Sequence, residues 1–314
     1  MSSVVHNHDA YVYNHSDDDP DSNFHSIADY SLWFEFIFSK FGALLNVFHL
    51  IVLTRMMTSS INTIMIGIAV CDLFSMLIVI RNGWIQSSFS PFGTDCSPPP
   101  SLLRMRVDWL LITVHNGLRR GSAWLGMLIA LIRYLVISDV TNKANKFSSP
   151  KFGFKLVLAA FLVSALFSIL FFVHFDFVQI ATWQPDSTCE EVPETWPVYT
   201  QQCNPMFENH DGLFSRIRLI FEGLMAKMIP CILLPILTVL LIYEMRKSEQ
   251  KSKNVIEIST TQTSFRKFRR DRTTILVIFI ATSFLISEFP IGVIDIFEAI
   301  WHDDPRFDVQ ELFQ

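Results

Sequence analysis

Seven residues from Asp108 to Arg133 follow one another in steps of three, four or seven: Asp108, Ile112, His115, Arg119, Ser122, Gly126 and Arg133. On a helix that spacing places them on one face, so a polar and cationic stripe runs along an otherwise apolar segment. Lys227 and Glu288 are isolated in apolar runs in the same way. Ionisable groups in such runs are costly in lipid and turn toward one another or toward water. His115 or Arg119 alone reads equally well as the partner of a carboxylate inside a bundle. Together the set favours a polar pocket built from Asp108, His115, Arg119, Lys227 and Glu288.

The chemistry such a pocket offers is recognition. No nucleophile, base and oxyanion donors assemble at helical spacing, which makes an enzyme the weakest reading. No CxxC, HExxH, Walker-type or GxGxxG pattern is present, and His6, His8, His15 and His25 lie in a polar tail that reads as solvated chain, not as a metal site. No cofactor is expected.

The elements that position these residues are spans. Of 314 residues, 50% are hydrophobic, 13% aromatic and only 18% charged, and the mean hydropathy is +0.34. Soluble domains seldom have that balance. A net charge of -5 with no basic surface argues against a nucleic-acid partner. Runs able to cross a bilayer, about 20 residues, extend over 32–54, 61–80, 156–177, 219–243 and 274–300. A sixth run, 107–137, is weaker because His115, Arg119 and Arg120 interrupt it.

Loop charge decides whether that run crosses. Met1 to Asp29 carries no Lys or Arg, whereas Lys143–Lys155 and Arg246–Arg272 are rich in both. The positive-inside rule puts the tail outside and both loops inside, which requires an odd number of spans between the tail and the first of these loops. Counting 107–137 gives three, so it must span. The expected organisation is an outer acidic tail over 1–31, a helical bundle over 32–300 and an outer segment over 301–314. Asn14-His15-Ser16 is a glycosylation sequon on the outer side. Cys71 and Cys231 fall within spans, leaving Cys96, Cys189 and Cys203 as disulfide candidates. Pro230, Pro235 and Pro290 each remove a backbone hydrogen bond and supply a kink or hinge.

Several short motifs occur in a telling order. Gly42-Ala43-Leu44-Leu45-Asn46, Ala69-Val70-Cys71-Asp72-Leu73, Ile132-Arg133-Tyr134, Pro235 with Tyr243 eight residues on, and Phe284 six residues before Pro290 resemble the helix signatures of rhodopsin-like G-protein-coupled receptors. The stretches Arg119 to Arg133, Ile229 to Pro235 and Phe289 to Gly292 more specifically resemble the class W serpentine receptors, nematode chemoreceptor-type proteins related to FMRFamide-type peptide receptors. The resemblance runs from about Leu32 to Ile300.

That resemblance implies an all-α, rhodopsin-like bundle in the plasma membrane with its N-terminus outside. It implies an extracellular neuropeptide or chemosensory ligand and a heterotrimeric G protein as partners, with membrane lipid around the bundle. Arg133 would engage the G protein, although Ile132 replaces the acidic neighbour common elsewhere. Tyr134, Pro235, Tyr243, Phe284 and Pro290 would form the helix switch. Asn46, Asp72 and Ser122 match the lining of a sodium-type polar core, and Glu288 stands where most such receptors carry tryptophan below the ligand. Cys96 takes the place of the usual cysteine at the outer end of the third span, where this chain has Asp108. Trp183 to Cys189 looks like the segment of its disulfide partner, which leaves Cys203 over. After Ile300 no seventh span follows, so the sequence reads as six spans of an expected seven, a truncated and silent receptor with its C-terminus outside.

Two other classes compete. In a six-span channel or transporter the buried charges would mark a conduction path, but internal repeats, re-entrant Gly-rich segments and Arg-rich sensing helices are not found. A fragment that only folds or heteromerises is the third reading.

Overall fold

A computed structural model describes residues 20–56, 58–88, 98–138, 144–184, 195–208 and 213–253, with positions 282, 285, 286, 288–290, 292–294, 296, 297 and 300 of the last apolar run. Asn14, Cys96, Cys189, Phe284 and 301–314 lie outside the described residues.

Long apolar sequences with few interior breakers become long helices, because in lipid each backbone polar group must be satisfied within its own segment. Helix α1 covers Pro20–Arg55, α2 Ser60–Ser88 and α3 Leu102–Ser138. The short α4 (Ala144–Phe147) leads into α5 (Pro150–Val173). Pro150 opens α5 at its first turn, where its missing N–H costs nothing, and the extended backbone of Ser149 precedes it. The doubtful third run is a continuous helix of 37 residues, about 55 Å at 1.5 Å per residue and therefore longer than a bilayer core. It is one of five helical stretches among the described residues that are long and apolar enough to span, with 30–55, 60–85, 150–173 and 214–247. The described positions of the sixth run are helical.

Outward faces are as apolar as the interior. Leu158, Leu162, Leu166 and Ile169 of α5 recur at helical spacing and are all exposed, the signature of a lipid-facing stripe. The buried centre is Ile64, Cys71, Leu125 and Ile132, with Val157 and Phe161 of α5 packed on it. Close approach of α5 to the start of α2 needs Gly153, since a Cβ there would lie 2.6 Å from the Ser60 carbonyl oxygen. The Ser60 N–H donates to the Ser148 carbonyl at 2.9 Å beside it.

The fourth span ends earlier than hydropathy implies, and the structure corrects its boundary. Helix α5 stops at Val173, His174 caps it, and the chain enters a strand, β1 (Phe175–Trp183). β1 pairs antiparallel with β2 (Trp196–Cys203), from Phe175 opposite Cys203 to Trp183 opposite Trp196, with an irregularity between Gln179 and Ala181. Aromatic and β-branched residues dominate β1, and they suit a pleated surface as well as an apolar helix. A two-stranded hairpin therefore adds to the all-α expectation at one end of the bundle. Trp109 pins it: the indole N–H donates to Phe172 O at 3.1 Å, and its ring stacks on Phe171 and meets Phe175 edge-on. His174, almost fully buried, packs between Phe175 and Phe207 of α6 (Pro205–Glu208).

The fifth span is longer than 219–243. It is built from α7 (Leu213–Glu222), a π-helical turn over Gly223–Met228 and α8 (Ile229–Lys253), which contains Pro235. π-Turns inside α-helices recur at functional sites because they reorient the side chains around them. Here the turn carries Lys227.

Candidate functional site

Charged side chains from three spans, α3, the fifth and the sixth, meet at mid-bundle, toward the hairpin. Arg120 of α3 is buried, with its side chain 4% exposed. It donates to Glu222 of α7 at 2.7 Å and to the Ser164 carbonyl of α5 at 3.2 Å. The second oxygen of Glu222 accepts from Arg218, one turn earlier, at 3.2 Å. Phe167 and Phe171 lie against the two guanidiniums. The preceding residue of α3 turns the other way. Arg119 donates to Glu288 of the sixth span at 2.5 Å. A buried charge is tolerated only when paired and hydrogen-bonded, so these pairs tie α3 to α5, α7 and the sixth span.

Packing brings the sixth span within reach. A Cβ at Gly292 would lie 3.0 Å from the Lys227 Cβ and 3.1 Å from the Met228 Cγ. Glycine gives the span room for this close approach to the π-turn, and it does so one turn after Glu288. Arg119, Arg120, Arg218, Glu222, Lys227 and Glu288 consequently line one cavity of about 220 Å³.

Of the five pocket residues read from the sequence, Arg119, Lys227 and Glu288 share this cavity. His115 and Asp108 do not line it. The Nδ1 of His115 lies 2.9 Å from Ser75 Oγ of α2, and the imidazole lines a separate space of about 190 Å³ with Glu35 and Asn82. Asp108 pairs with Arg81 of α2, and with Arg104 at 3.8 Å on its own helix. A stripe chosen by period alone is wide enough to face two neighbours, and both residues fall on the α2 side. Arg120, Arg218 and Glu222 were not singled out as pocket residues. The available signal was Arg218 and Glu222 at i, i+4 on one apolar helix, one turn from Lys227.

Beyond the Arg119–Glu288 pair lies a second cavity of about 460 Å³, reaching Asp72, Ser122, Gly126 and Arg133. Ser122 donates to Asp72 at 2.9 Å. Asn46 does not join them; its amide donates to Gly42 O at 3.1 Å and points at the Met76 sulfur. At Asp72 itself the set is one carboxylate and one hydroxyl, and no three His, Cys, Asp or Glu side chains gather among the described residues. Arg133 makes no salt bridge among the described residues, and its neighbour Ile132 is buried in the core. Tyr134 is half-buried, Pro235 is partly buried inside α8, and Tyr243 and Pro290 are exposed. Cys203 closes β2 with its thiol 3.8 Å from the Asn204 carbonyl.

A multi-pass helical membrane protein with two charged cavities stacked along α3 is the class this fold and site define. The chain belongs to the serpentine type 7TM GPCR chemoreceptor Srw family, which matches residues 33–313. It is 23% identical over 320 residues to the G-protein coupled receptor dmsr-1 of Caenorhabditis elegans, covering 87% of this chain and 60% of that one. To the sex peptide receptor of Drosophila melanogaster it is 20% identical over 252 residues, covering 78% and 54%. The chain thus spans little more than half the length of these relatives.

Proposed function

We propose that the chain acts as a G-protein-coupled receptor of the plasma membrane, with its N-terminus and hairpin outside. It receives a peptide or small amphipathic ligand at the cavity below the hairpin and signals to a heterotrimeric G protein at the Arg133 end. The observation that carries this reading is the Arg119–Glu288 pair, whose two residues line both cavities. A ligand that disturbs the pair changes what holds α3 to the sixth span. The second cavity then carries the change toward Arg133, with Tyr134, Pro235, Tyr243, Phe284 and Pro290 as the switch. A peptide ligand agrees with the name of the sex peptide receptor. A Cys96–Cys189 bond would brace the mouth, which non-reducing peptide mapping tests, and Asn14 would carry a glycan.

The test is a cell reporter with a broadly coupling G protein, challenged by a synthetic library of invertebrate neuropeptides. A concentration-dependent response that disappears in Arg133→Ala, while that variant still reaches the surface, is the expected result. Silence toward every pool, with an N-terminal tag detected on intact cells, would overturn the proposal.

A further inference from the structure

A groove on the outside of the bundle joins an apolar slot to unpaired cations. It has a volume of about 690 Å³ and lies between α2 and α5, with Ile66 and Val70 on one wall and Phe154 and Phe161 on the other. Phe154 and Leu158 beside it face outward, so the groove opens where lipid surrounds the bundle. Lys151 and Lys155 stand at its mouth, four residues apart on one face of α5. Both are exposed, and neither makes an ion pair among the described residues. No carboxylate is among the described residues that line the groove. Lys146, exposed on α4 just before, adds a third cation to this end. The corresponding end of α8 differs, since Lys247 there lies 3.6 Å from Glu244.

Any lipid tail fills an apolar slot, so selectivity lies at the mouth. A lysine lays its apolar stem along the helix surface and holds its ammonium, with three N–H donors, at the level of the headgroups. Basic pockets between helices at the cytoplasmic face attract anionic headgroups. We propose that this groove binds an anionic phospholipid of the inner leaflet, with one acyl chain along Val70 and Phe161 and its phosphate between Lys151 and Lys155. A zwitterionic lipid brings its own cation to the same place and loses the advantage. The choice of leaflet rests on the orientation in the receptor reading above; the choice of headgroup does not.

The test uses the purified full chain in phosphatidylcholine nanodiscs doped with a diazirine-tailed analogue of phosphatidic acid, phosphatidylserine or phosphatidylcholine. After illumination, the crosslinks are mapped by peptide mass spectrometry. Both anionic analogues are expected to label residues 154–161 severalfold more than the phosphatidylcholine analogue does, and severalfold more than they label the Lys247 end of α8. Lys151→Gln combined with Lys155→Gln is expected to remove that excess, and Lys40→Gln, on α1, to keep it. On the unaltered chain, added sodium chloride is expected to erode the excess by screening, a readout that needs no variant to fold. Inorganic phosphate at equal ionic strength is expected to do no more than chloride. Equal labelling by the phosphatidylcholine analogue, or an excess that survives both the double variant and salt, would overturn the proposal. So would the same excess along α8, which marks only the general charge of a membrane surface, or displacement by phosphate beyond that by chloride, which marks a site for the free ion. Such a failure leaves the receptor reading to its own peptide-response assay, and failure of that assay leaves the labelling result standing. An N-terminal tag found only on the cytosolic side would overturn the inner-leaflet assignment.

Discussion

At the scale of residues, Glu222 holds two arginines from two helices, and its removal has a definite sign. Glu222→Gln keeps the shape but leaves Arg120, with 4% of its side chain exposed, without its charge partner. Breaking a buried pair on one side costs about 3–5 kcal/mol. A large fall in the unfolding midpoint of the purified protein is expected, read with a thiol-reactive dye that reports exposure of the buried Cys71. An unchanged midpoint would mean that the pair contributes little to the fold. The sequence showed that Arg119, Lys227 and Glu288 had to find company, because isolated charges in apolar runs have few alternatives. It could not assign partners. His115 and Asp108 keep the same period as Arg119, yet they turn to Ser75 and Arg81 of α2, since a few tens of degrees around α3 separate one neighbour from another.

Element boundaries obey different physics. Hydropathy marked the five runs that form span-length helices among the described residues, and loop charge required the weak third run to cross, because a bilayer imposes one length and one sign of loop on any sequence. It overran the fourth span, since Phe175 and Phe177 are equally apolar in a helix and in a strand facing one. The π-turn at Gly223–Met228 was not legible either, as the run from Leu213 to Lys253 carries the same helical pattern through it. Close approach is testable. Gly153→Val places side-chain atoms against the Ser60 backbone, which cannot yield, and folded yield in size-exclusion chromatography is expected to collapse. Gly126→Ala, with nothing within 4 Å of the new Cβ, is expected to leave it unchanged. At the hairpin, Trp109→Ala removes one hydrogen bond and two ring contacts. A loss of about 3–5 kcal/mol, the range for large aromatics, is expected in the same unfolding assay.

For the whole molecule, the resemblance in the helix motifs and the family match agree, and the bundle holds a charged cavity toward the hairpin, a second toward Arg133, and one ion pair between them. The central claim is that this pair restrains the signalling state. Prolines 230, 235 and 290 give the fifth and sixth spans places to bend, while Arg119–Glu288 holds the sixth span to α3. The most direct measurement is nucleotide exchange on a heterotrimeric G protein by the chain in proteoliposomes without ligand, compared among wild type, Glu288→Gln and Arg133→Ala. Glu288→Gln is expected to raise the basal rate severalfold and Arg133→Ala to reduce it to that of empty liposomes. A folded Glu288→Gln protein with the wild-type rate, or an Arg133→Ala protein as active as wild type, would contradict the claim.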